Sequence, residues 1–169
     1  GAIKVYAIDV GYGQLAWQLR NDSRVVNMER TNVRYLDVES IEDEVNFISI
    51  DVSFISLKLV LPVAYNLLAD NGKLVALIKP QFEAGKDKVG KKGVVRDPEV
   101  HKEVLDNFVE LAHSLDFSIQ GMTFSPVKGP EGNIEYLLHL RNCTDGTTFT
   151  NDAIGAKETV EKAHETLDK

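Results

Sequence analysis

Residues 75–82 read VALIKPQF, and this stretch decides how the rest of the chain is organised. The apolar run VALI, residues 75–78, is typical of a strand that is buried on both faces, as the strands of parallel sheets are. Pro80 has no backbone N–H and ends the strand, so Lys79 stands at its carboxyl end. Burial of an unpaired lysine is costly, and Lys79 therefore either extends its amine to water or takes part in chemistry.

Apolar runs bounded by polar turns predict five further strands, over residues 3–10, 24–28, 46–52, 117–124 and 134–140. Helices are predicted over residues 14–20 and 57–68, after an N-cap at Asp97, and, weakly, over residues 151–169. The pair Asn71-Gly72 predicts a tight turn between the second helix and the VALI strand. Strands that alternate with helices predict an α/β fold with a mostly parallel sheet, helices on both faces and an antiparallel edge pair at the end.

The face of the helix after Asp97 is predicted from apolar residues that recur at spacings of three and four. These residues are Val100, Val104, Phe108, Leu111 and Leu115.

The composition excludes several classes of protein. The 169 residues fit one domain, and no apolar run approaches the roughly 20 residues that span a bilayer. The single cysteine, Cys143, excludes an internal disulfide and fits a reducing compartment. Because the chain also shows no signal-peptide pattern, we expect a cytoplasmic protein.

The formal net charge of −7 argues against nucleic-acid binding through the overall field of the protein. One segment, residues 86–96 (KDKVGKKGVVR), is nevertheless basic. It contains a single acid, Asp87, and five basic residues, Lys86, Lys88, Lys91, Lys92 and Arg96. From charge alone, this segment, the basic loop, is either a solvated loop or a local surface for a polyanion.

Polar side chains collect at or just beyond the carboxyl ends of the predicted strands, where α/β sheets bind their ligands. Asp9 suits the two hydroxyls of a ribose and Asn32 suits an adenine edge, but each is equally explained as a local cap. Asp51 and Lys79 form either a buried salt bridge or an acid that orients a working lysine. Glu135 would point toward the same edge.

Six blocks of the sequence together resemble one family. They are IDVGYGQLAW, ERTNVRYL, IDVSFISLKLVLP, LIKPQFEAGK, GVVRDPEVH and SPVKGPEGNIEYLLHL, and they extend over nearly the whole chain to about Leu140. They resemble the FtsJ-type methyltransferase domain of the TlyA family, whose members often carry the label hemolysin. The resemblance implies a Rossmann-like, S-adenosylmethionine-dependent methyltransferase fold and 2′-O-methylation of ribosomal RNA.

The resemblance also implies a Lys-Asp-Lys-Glu tetrad at the catalytic centre. Three members match Asp51 in IDVSF, Lys79 in LIKPQ and Glu135 in GNIEY. The first lysine, a glycine-rich strand-loop and an S4-like RNA-binding domain are expected before Gly1, so a partial domain that is inactive by itself is predicted. S-adenosylmethionine is assigned to Asp9, Val10, Gly11, Thr31, Asn32 and Asp51.

In the implied reaction Lys79 is the general base for a ribose hydroxyl, while Asp51 and Glu135 orient the lysine and the hydroxyl. The implied partner is ribosomal RNA or a ribosomal subunit, and the basic loop is expected to contact RNA phosphates. No metal and no membrane partner are expected. Residues 1–141 are predicted to form the methyltransferase domain, and residues 142–169 a linker and an amphipathic helix.

Two other functions stay open. A protein that binds NAD or another nucleotide without methyl transfer would share the acids at the strand ends. A membrane-lytic protein, as the hemolysin label suggests, would need an amphipathic surface, and only residues 151–169 offer one.

Overall fold

The computed structural model describes residues 1–143 and 155–168, which belong to two compact units, Gly1–Glu44 and Val45–Lys169. The linker predicted after residue 142 falls largely on residues 144–154, which lie outside the described residues, as does Lys169.

The first unit is built on one parallel pair of strands. Its elements are β1 (Val5–Ile8), α1 (Trp17–Arg20) and β2 (Val25–Met28). β1 and β2 pair in parallel, as strands joined by a helix do. Every residue of Gly1–Glu44 keeps some exposure to solvent, so this unit has no buried core of its own.

The second unit carries a four-stranded sheet in the order β3-β4-β6-β5. Its strands are β3 (Val45–Ile50), β4 (Leu68–Ile78), β5 (Phe117–Phe124) and β6 (Tyr136–Asn142). β3 and β4 are parallel, and the predicted antiparallel pairing of the two closing strands is confirmed. β6 also pairs antiparallel with β4, so antiparallel pairing reaches the strand that leads to Lys79.

The described part of the second unit also contains four α-helices, namely α2 (Leu61–Leu67), α3 (Pro80–Glu83), α4 (Pro98–Ser114) and α5 (Ala156–Leu167). α4 and α5 pack against each other and against β5. Alternate residues of β4 and β6 share one fully buried face of the sheet, because side chains alternate along a strand. This core contains Leu74, Ala76, Ile78, Tyr136, Leu138 and Leu140.

The prediction of a tight turn at Asn71-Gly72 is wrong, because β4 begins at Leu68 and runs through both residues. The register with β3 shifts between Val45 and Phe47, which marks a β-bulge. Asn71 has a φ of +61°, a left-handed conformation that asparagine tolerates well. A Cβ at Gly72 would lie 2.7 Å from the Leu68 side chain, so the bulge packs directly on the start of the strand.

The start of α4 and its apolar face agree with the sequence. The side chain of the N-cap Asp97 accepts from the Glu99 N–H at 2.9 Å, as predicted for an N-cap. None of the five residues of the predicted apolar face is exposed, and Val104 and Phe108 are fully buried. α4 packs against both β5 and α5, so its buried residues extend beyond that face, and they are His101, Val104, Leu105, Phe108 and Ala112.

His101 is 1% exposed and uses both ring nitrogens. Its Nε2 donates to the Val95 carbonyl at 3.0 Å, which leaves Nδ1 to accept from the Tyr136 hydroxyl at 2.8 Å. His164 of α5 brings its Nε2 to 3.2 Å from the same Nδ1. Burial lowers the pKa of His101, against the opposing effect of the Val95 carbonyl.

We expect the free energy of unfolding to fall as the pH is lowered through the ordinary histidine value of 6.5. The pKa of His101 is lower in the folded than in the unfolded protein, so the unfolded state binds the extra proton and is favoured by acid. Urea unfolding at a series of pH values measures this dependence. His101→Gln should flatten it, whereas His113→Gln, an exposed residue of the same helix, should not. Equal pH dependence in His101→Gln and wild type would contradict this account.

Candidate active site

Lys79 and Asp51 meet at the carboxyl ends of two neighbouring parallel strands. Ile50 pairs with Ala76, so Asp51 follows the end of β3 on the edge where Lys79 follows the end of β4. The Lys79 Nζ lies 2.6 Å from Asp51 Oδ1 and donates to the Ser53 Oγ at 3.1 Å. The structure therefore brings these two predicted site residues together.

The ion pair is covered on one side and open on the other. The Lys79 side chain is 12% exposed and that of Asp51 71% exposed. Pairs with this much solvent access contribute only about 0–1 kcal/mol to stability. The main consequence of the pair is geometric, because it fixes the Lys79 amine at the open edge of the sheet. The assignment of Lys79 as a general base stays a prediction.

Glu135 reaches the same region through α3. It is 6% exposed, and its Oε1 accepts from the Gln81 Nε2 at 3.0 Å. Gln81 belongs to α3, which begins immediately after Lys79. The described hydrogen bonds and ion pairs thus connect Glu135 to Gln81, and none of them connects it directly to Lys79 or Asp51.

Glu83, at the other end of α3, holds the segment that follows Asp51. Its carboxylate accepts from the Ser56 hydroxyl at 2.7 Å and from the Leu57 N–H at 2.8 Å. Burial raises the pKa of Glu83, while these two hydrogen bonds act in the opposite direction. The sequence interpretation missed this residue, whose only signal was an acid four positions after Lys79.

Phe54 was also missed. Its side chain is 91% exposed, although it lies three positions after Asp51, and its φ of +62° is rare for a bulky residue. Its ring lies 4.9 Å from the ring of Phe82 in α3, at an interplanar angle of 53°. A strained, exposed aromatic beside a candidate site is a frequent mark of function.

In the first unit, two predicted cofactor residues act as local caps. Asp9 Oδ1 accepts from the Gly11 N–H at 2.7 Å, and Asn32 Oδ1 accepts from the Arg34 N–H at 3.1 Å. Asp9 is exposed, and only its Oδ1 has a described hydrogen bond. Capping is therefore present in both residues, and cofactor binding stays a prediction.

The other predicted cofactor residues of the first unit lie close in sequence to these caps. Val10 is 73% exposed, and the Thr31 N–H donates to the Asp9 carbonyl at 2.9 Å. Glu29, which the sequence analysis did not single out, orders the turn after Gly11, because its carboxylate accepts from the Gln14 N–H at 2.9 Å and from the Leu15 N–H at 3.3 Å. Hydrogen bonds lower the pKa of Glu29 to about 2, the largest effect coming from the Asn27 amide and smaller ones from the Leu15 N–H, Arg20 and the Gln14 N–H.

The basic loop combines two buried valines with exposed basic side chains. Val94 and Val95 are 4% and 2% exposed, so the base of the loop is buried. Lys88 pairs with Glu103 at 2.5 Å. The other four predicted RNA contacts are exposed and form no ion pair with any described residue. These are Lys86, Lys91, Lys92 and Arg96.

The predicted site residues are divided between the two units. Asp9, Val10, Gly11, Thr31 and Asn32 belong to Gly1–Glu44. The three tetrad positions and the basic loop belong to Val45–Lys169. Within the described residues, no group of three or more His, Cys, Asp or Glu side chains has the arrangement of a metal site.

A model of the FtsJ-like methyltransferase family matches residues 1–142 of the chain. The chain belongs to this family. The predicted resemblance and the Rossmann-like methyltransferase fold class are thereby confirmed for this FtsJ-like chain.

Relatives of the FtsJ-like chain include rRNA methyltransferases by name. It is 48% identical to YqxC of Bacillus subtilis, a candidate rRNA methyltransferase, over 99% of this chain and 60% of that protein. It is 48% identical to the 16S/23S rRNA (cytidine-2′-O)-methyltransferase TlyA of Mycobacterium tuberculosis, over 86% of this chain and 54% of that protein. The FtsJ-like chain therefore spans little more than half the length of these relatives.

A solved structure from Streptococcus thermophilus, described as a candidate hemolysin, superposes on the FtsJ-like chain with a TM-score of 0.92. The two are 44% identical over 99% of this chain and 60% of the other. In the described part of the FtsJ-like chain, no helix has both the length and the apolar character needed to cross a membrane.

We expect Gly129→Ala to displace Glu135 and, under the methyl-transfer function proposed below, to reduce the activity of the full-length gene product. A Cβ at position 129 would lie 2.3 Å from Glu135 Oε1, so the carboxylate must move away from Gln81. Overpacking of this kind typically destabilises by about 1–3 kcal/mol. Methyl transfer and thermal unfolding measure the two effects.

Gly155→Ala is the matched control, because a Cβ there has no neighbour within 4 Å among the described residues. It should leave methyl transfer unchanged. Full activity in Gly129→Ala would show that the position of Glu135 is irrelevant to the reaction.

Proposed function

We propose that this FtsJ-like chain catalyses methyl transfer from S-adenosylmethionine to a 2′-hydroxyl of ribosomal RNA. The observation that carries the proposal is the Lys79–Asp51 pair at the sheet edge, with Glu135 connected to it through α3. These are the positions that match the tetrad of the family. The rRNA methyltransferase names of the relatives support the substrate class, and such a substrate implies work in the cytoplasm.

Residues of the first unit fit the nucleoside part of the cofactor. In the described hydrogen bonds, Asp9 accepts from the Gly11 N–H through Oδ1 alone. Its Oδ2 is therefore available to accept from ribose hydroxyls. Asn32 uses Oδ1 as a cap, which leaves its side-chain N–H groups to donate to an adenine edge. We assign Val10, Gly11 and Thr31 to the backbone surface around this ligand. When bound, S-adenosylmethionine supplies an electrophilic methyl group on a sulfonium.

The second unit positions the nucleophile and removes its proton. With a methyl donor bound, the ribose 2′-hydroxyl would pass its proton to the Lys79 amine as its oxygen takes the methyl group. For this step the amine must be neutral, although its pairing with Asp51 favours the charged form. Asp51 and Ser53 hold that amine in place. Glu135 orients the hydroxyl from the side of α3. Placement of the reacting atoms at roughly 3–3.5 Å accounts for a further large part of the acceleration.

Two features of the second unit suit RNA. Phe54 offers an exposed ring beside the ion pair, and unstacked bases bind to such rings. The basic loop offers cations for phosphate groups, which need a local positive surface rather than a basic protein. We assign Lys86, Lys88, Lys91, Lys92 and Arg96 to this contact.

Lys79→Ala should lower kcat for RNA methylation by roughly a hundred- to ten-thousand-fold, which is the usual contribution of a general base. Binding of S-adenosylmethionine, measured by calorimetry, should be largely retained, because most of its assigned residues lie in the first unit. Transfer of a labelled methyl group to rRNA by the full-length gene product is the assay. Lys73→Ala, an exposed lysine of the same strand, is the control.

Turnover by Lys79→Ala at the wild-type rate would remove the general-base assignment. If the wild type bound the cofactor but methylated no RNA, nucleotide binding without methyl transfer would become the better function.

Lys91→Gln combined with Lys92→Gln should weaken RNA binding and reduce its salt dependence. The slope of log K against log salt is negative. For a single-stranded RNA, its magnitude falls by about 0.7 for every phosphate that the protein no longer neutralises. Fluorescence anisotropy with a labelled single-stranded RNA measures the slope. Lys157→Gln with Lys162→Gln removes the same charge from α5 and should change the slope little. Equal slopes in both double variants would assign the effect to net charge alone.

A further inference from the structure

Two open grooves lie side by side on the second unit and share a wall formed by Val94 and Arg96. One groove, of about 470 Å³, belongs to the basic loop and includes Lys91 and Lys92. The other, of about 420 Å³, extends from this wall to the C-terminal helix α5. We call it the tail groove, and its polar side chains are Arg96, Lys128, His164 and Asp168.

The shared wall is held by a buried framework. The Val95 carbonyl accepts from His101, and the Val95 N–H donates to the Asn133 Oδ1 at 3.2 Å. The Asn133 amide also donates to the Gly93 carbonyl at 3.0 Å, and Asn133 is 3% exposed. Arg96 therefore stands on an anchored backbone between the two grooves.

In the tail groove, one carboxylate engages two groups that can bind anions. Asp168 Oδ1 lies 2.7 Å from the Lys128 Nζ, and Asp168 Oδ2 accepts from the His164 Nδ1 at 2.7 Å. The hydrogen bond from Lys128 lowers the pKa of Asp168, which is consequently ionised at neutral pH. Arg96 shares the groove and has no ion pair with any described residue.

This arrangement is the one that a bound phosphate would need, with a pair of anionic oxygens facing Lys128 and His164 and with Arg96 beside them. Asp168 supplies the two oxygens from within the chain. The continuity of the groove with the basic loop favours a polyanion that runs through both over an isolated anion. RNA backbone has this form, since its phosphates repeat along an extended strand.

We propose that the tail groove binds a phosphate of the RNA substrate, and that Asp168 competes with this phosphate for Lys128 and His164. The inference rests on the proposed function, because it extends the RNA surface assigned to the basic loop. It adds the C-terminal end of α5, at His164 and Asp168, to the RNA-binding surface, and it makes Asp168 a group that lowers the affinity for RNA.

Asp168→Asn tests the proposal through a gain of binding. Freed cations should add about one phosphate contact, so the slope of log K against log salt should steepen by about 0.7 for single-stranded RNA. When the salt concentration is lowered fourfold, the affinity of Asp168→Asn for RNA should rise roughly 2–3-fold more than that of the wild type. The probe is a fluorescein-labelled single-stranded RNA of mixed sequence, measured by anisotropy with the full-length gene product.

Two further variants separate a groove effect from other causes. Glu165→Gln removes one negative charge from the same helix at an exposed position outside the groove, and should leave the slope unchanged. Asp168→Asn combined with Lys128→Gln should abolish the gain, because the freed lysine is gone. If Asp168→Asn acted by releasing α5 from the domain, the gain would persist in the double variant and the proposal would be overturned.

The outcomes also separate this inference from the proposed function. An effect of Lys91 and Lys92 on RNA binding, with no effect of Asp168→Asn, would overturn the tail groove and leave the RNA surface of the basic loop intact. Absence of RNA binding by the wild-type protein would overturn both. Equal gains in Asp168→Asn and Glu165→Gln would assign the change to net charge and would also reject the groove.

Discussion

The parallel pairing of β3 with β4 is the constraint on which the candidate site depends. It places Asp51 and Lys79 on one edge of the sheet, at the distance of an ion pair. On the other side of β4, antiparallel β6 starts immediately after Glu135. The three tetrad positions therefore come from three neighbouring strands, and a change in the register of β4 would separate them. The half-exposed ion pair contributes little to stability, so this geometry is set by the apolar core of the sheet.

The single turn of α3 connects the parts of this site. Lys79 caps it, Gln81 donates to Glu135, the Phe82 ring contacts Phe54, and Glu83 holds the segment after Asp51 through Ser56 and Leu57. Successive positions of a helix point in different directions, so a short helix can reach several neighbours at once. Pro80 fixes the first turn of α3, which ties the direction of all four side chains to the end of β4.

The sequence predicted what depends on local pattern. The strand before Lys79, the N-cap at Asp97, the closing antiparallel strands and the family all followed from periodicity, capping residues and motifs. The turn at Asn71-Gly72 was wrong because a left-handed asparagine suits a turn and a bulge alike, and only the partner strand distinguishes them. The burial of His101, Leu105 and Ala112 was not predicted, because it depends on packing with α5, about 50 residues later in the chain. Glu83 and Phe54 were missed because their contacts join residues 26 to 28 positions apart, which local pattern does not reveal.

The order in which β4 gains its two partner strands has a consequence for folding during translation. β4 gains its first neighbour from β3, which precedes it, but its second from β6, since Ile78 pairs with Tyr136. On a translating ribosome, the strand that leads to Lys79 is thus an unpaired apolar edge until β6 has emerged, and such edges are prone to wrong pairing. The interval also delays Glu135, which arrives with β6. A nascent chain thus acquires the ion pair early and its third tetrad position late, and the proposed centre is complete only after translation has passed Asn142.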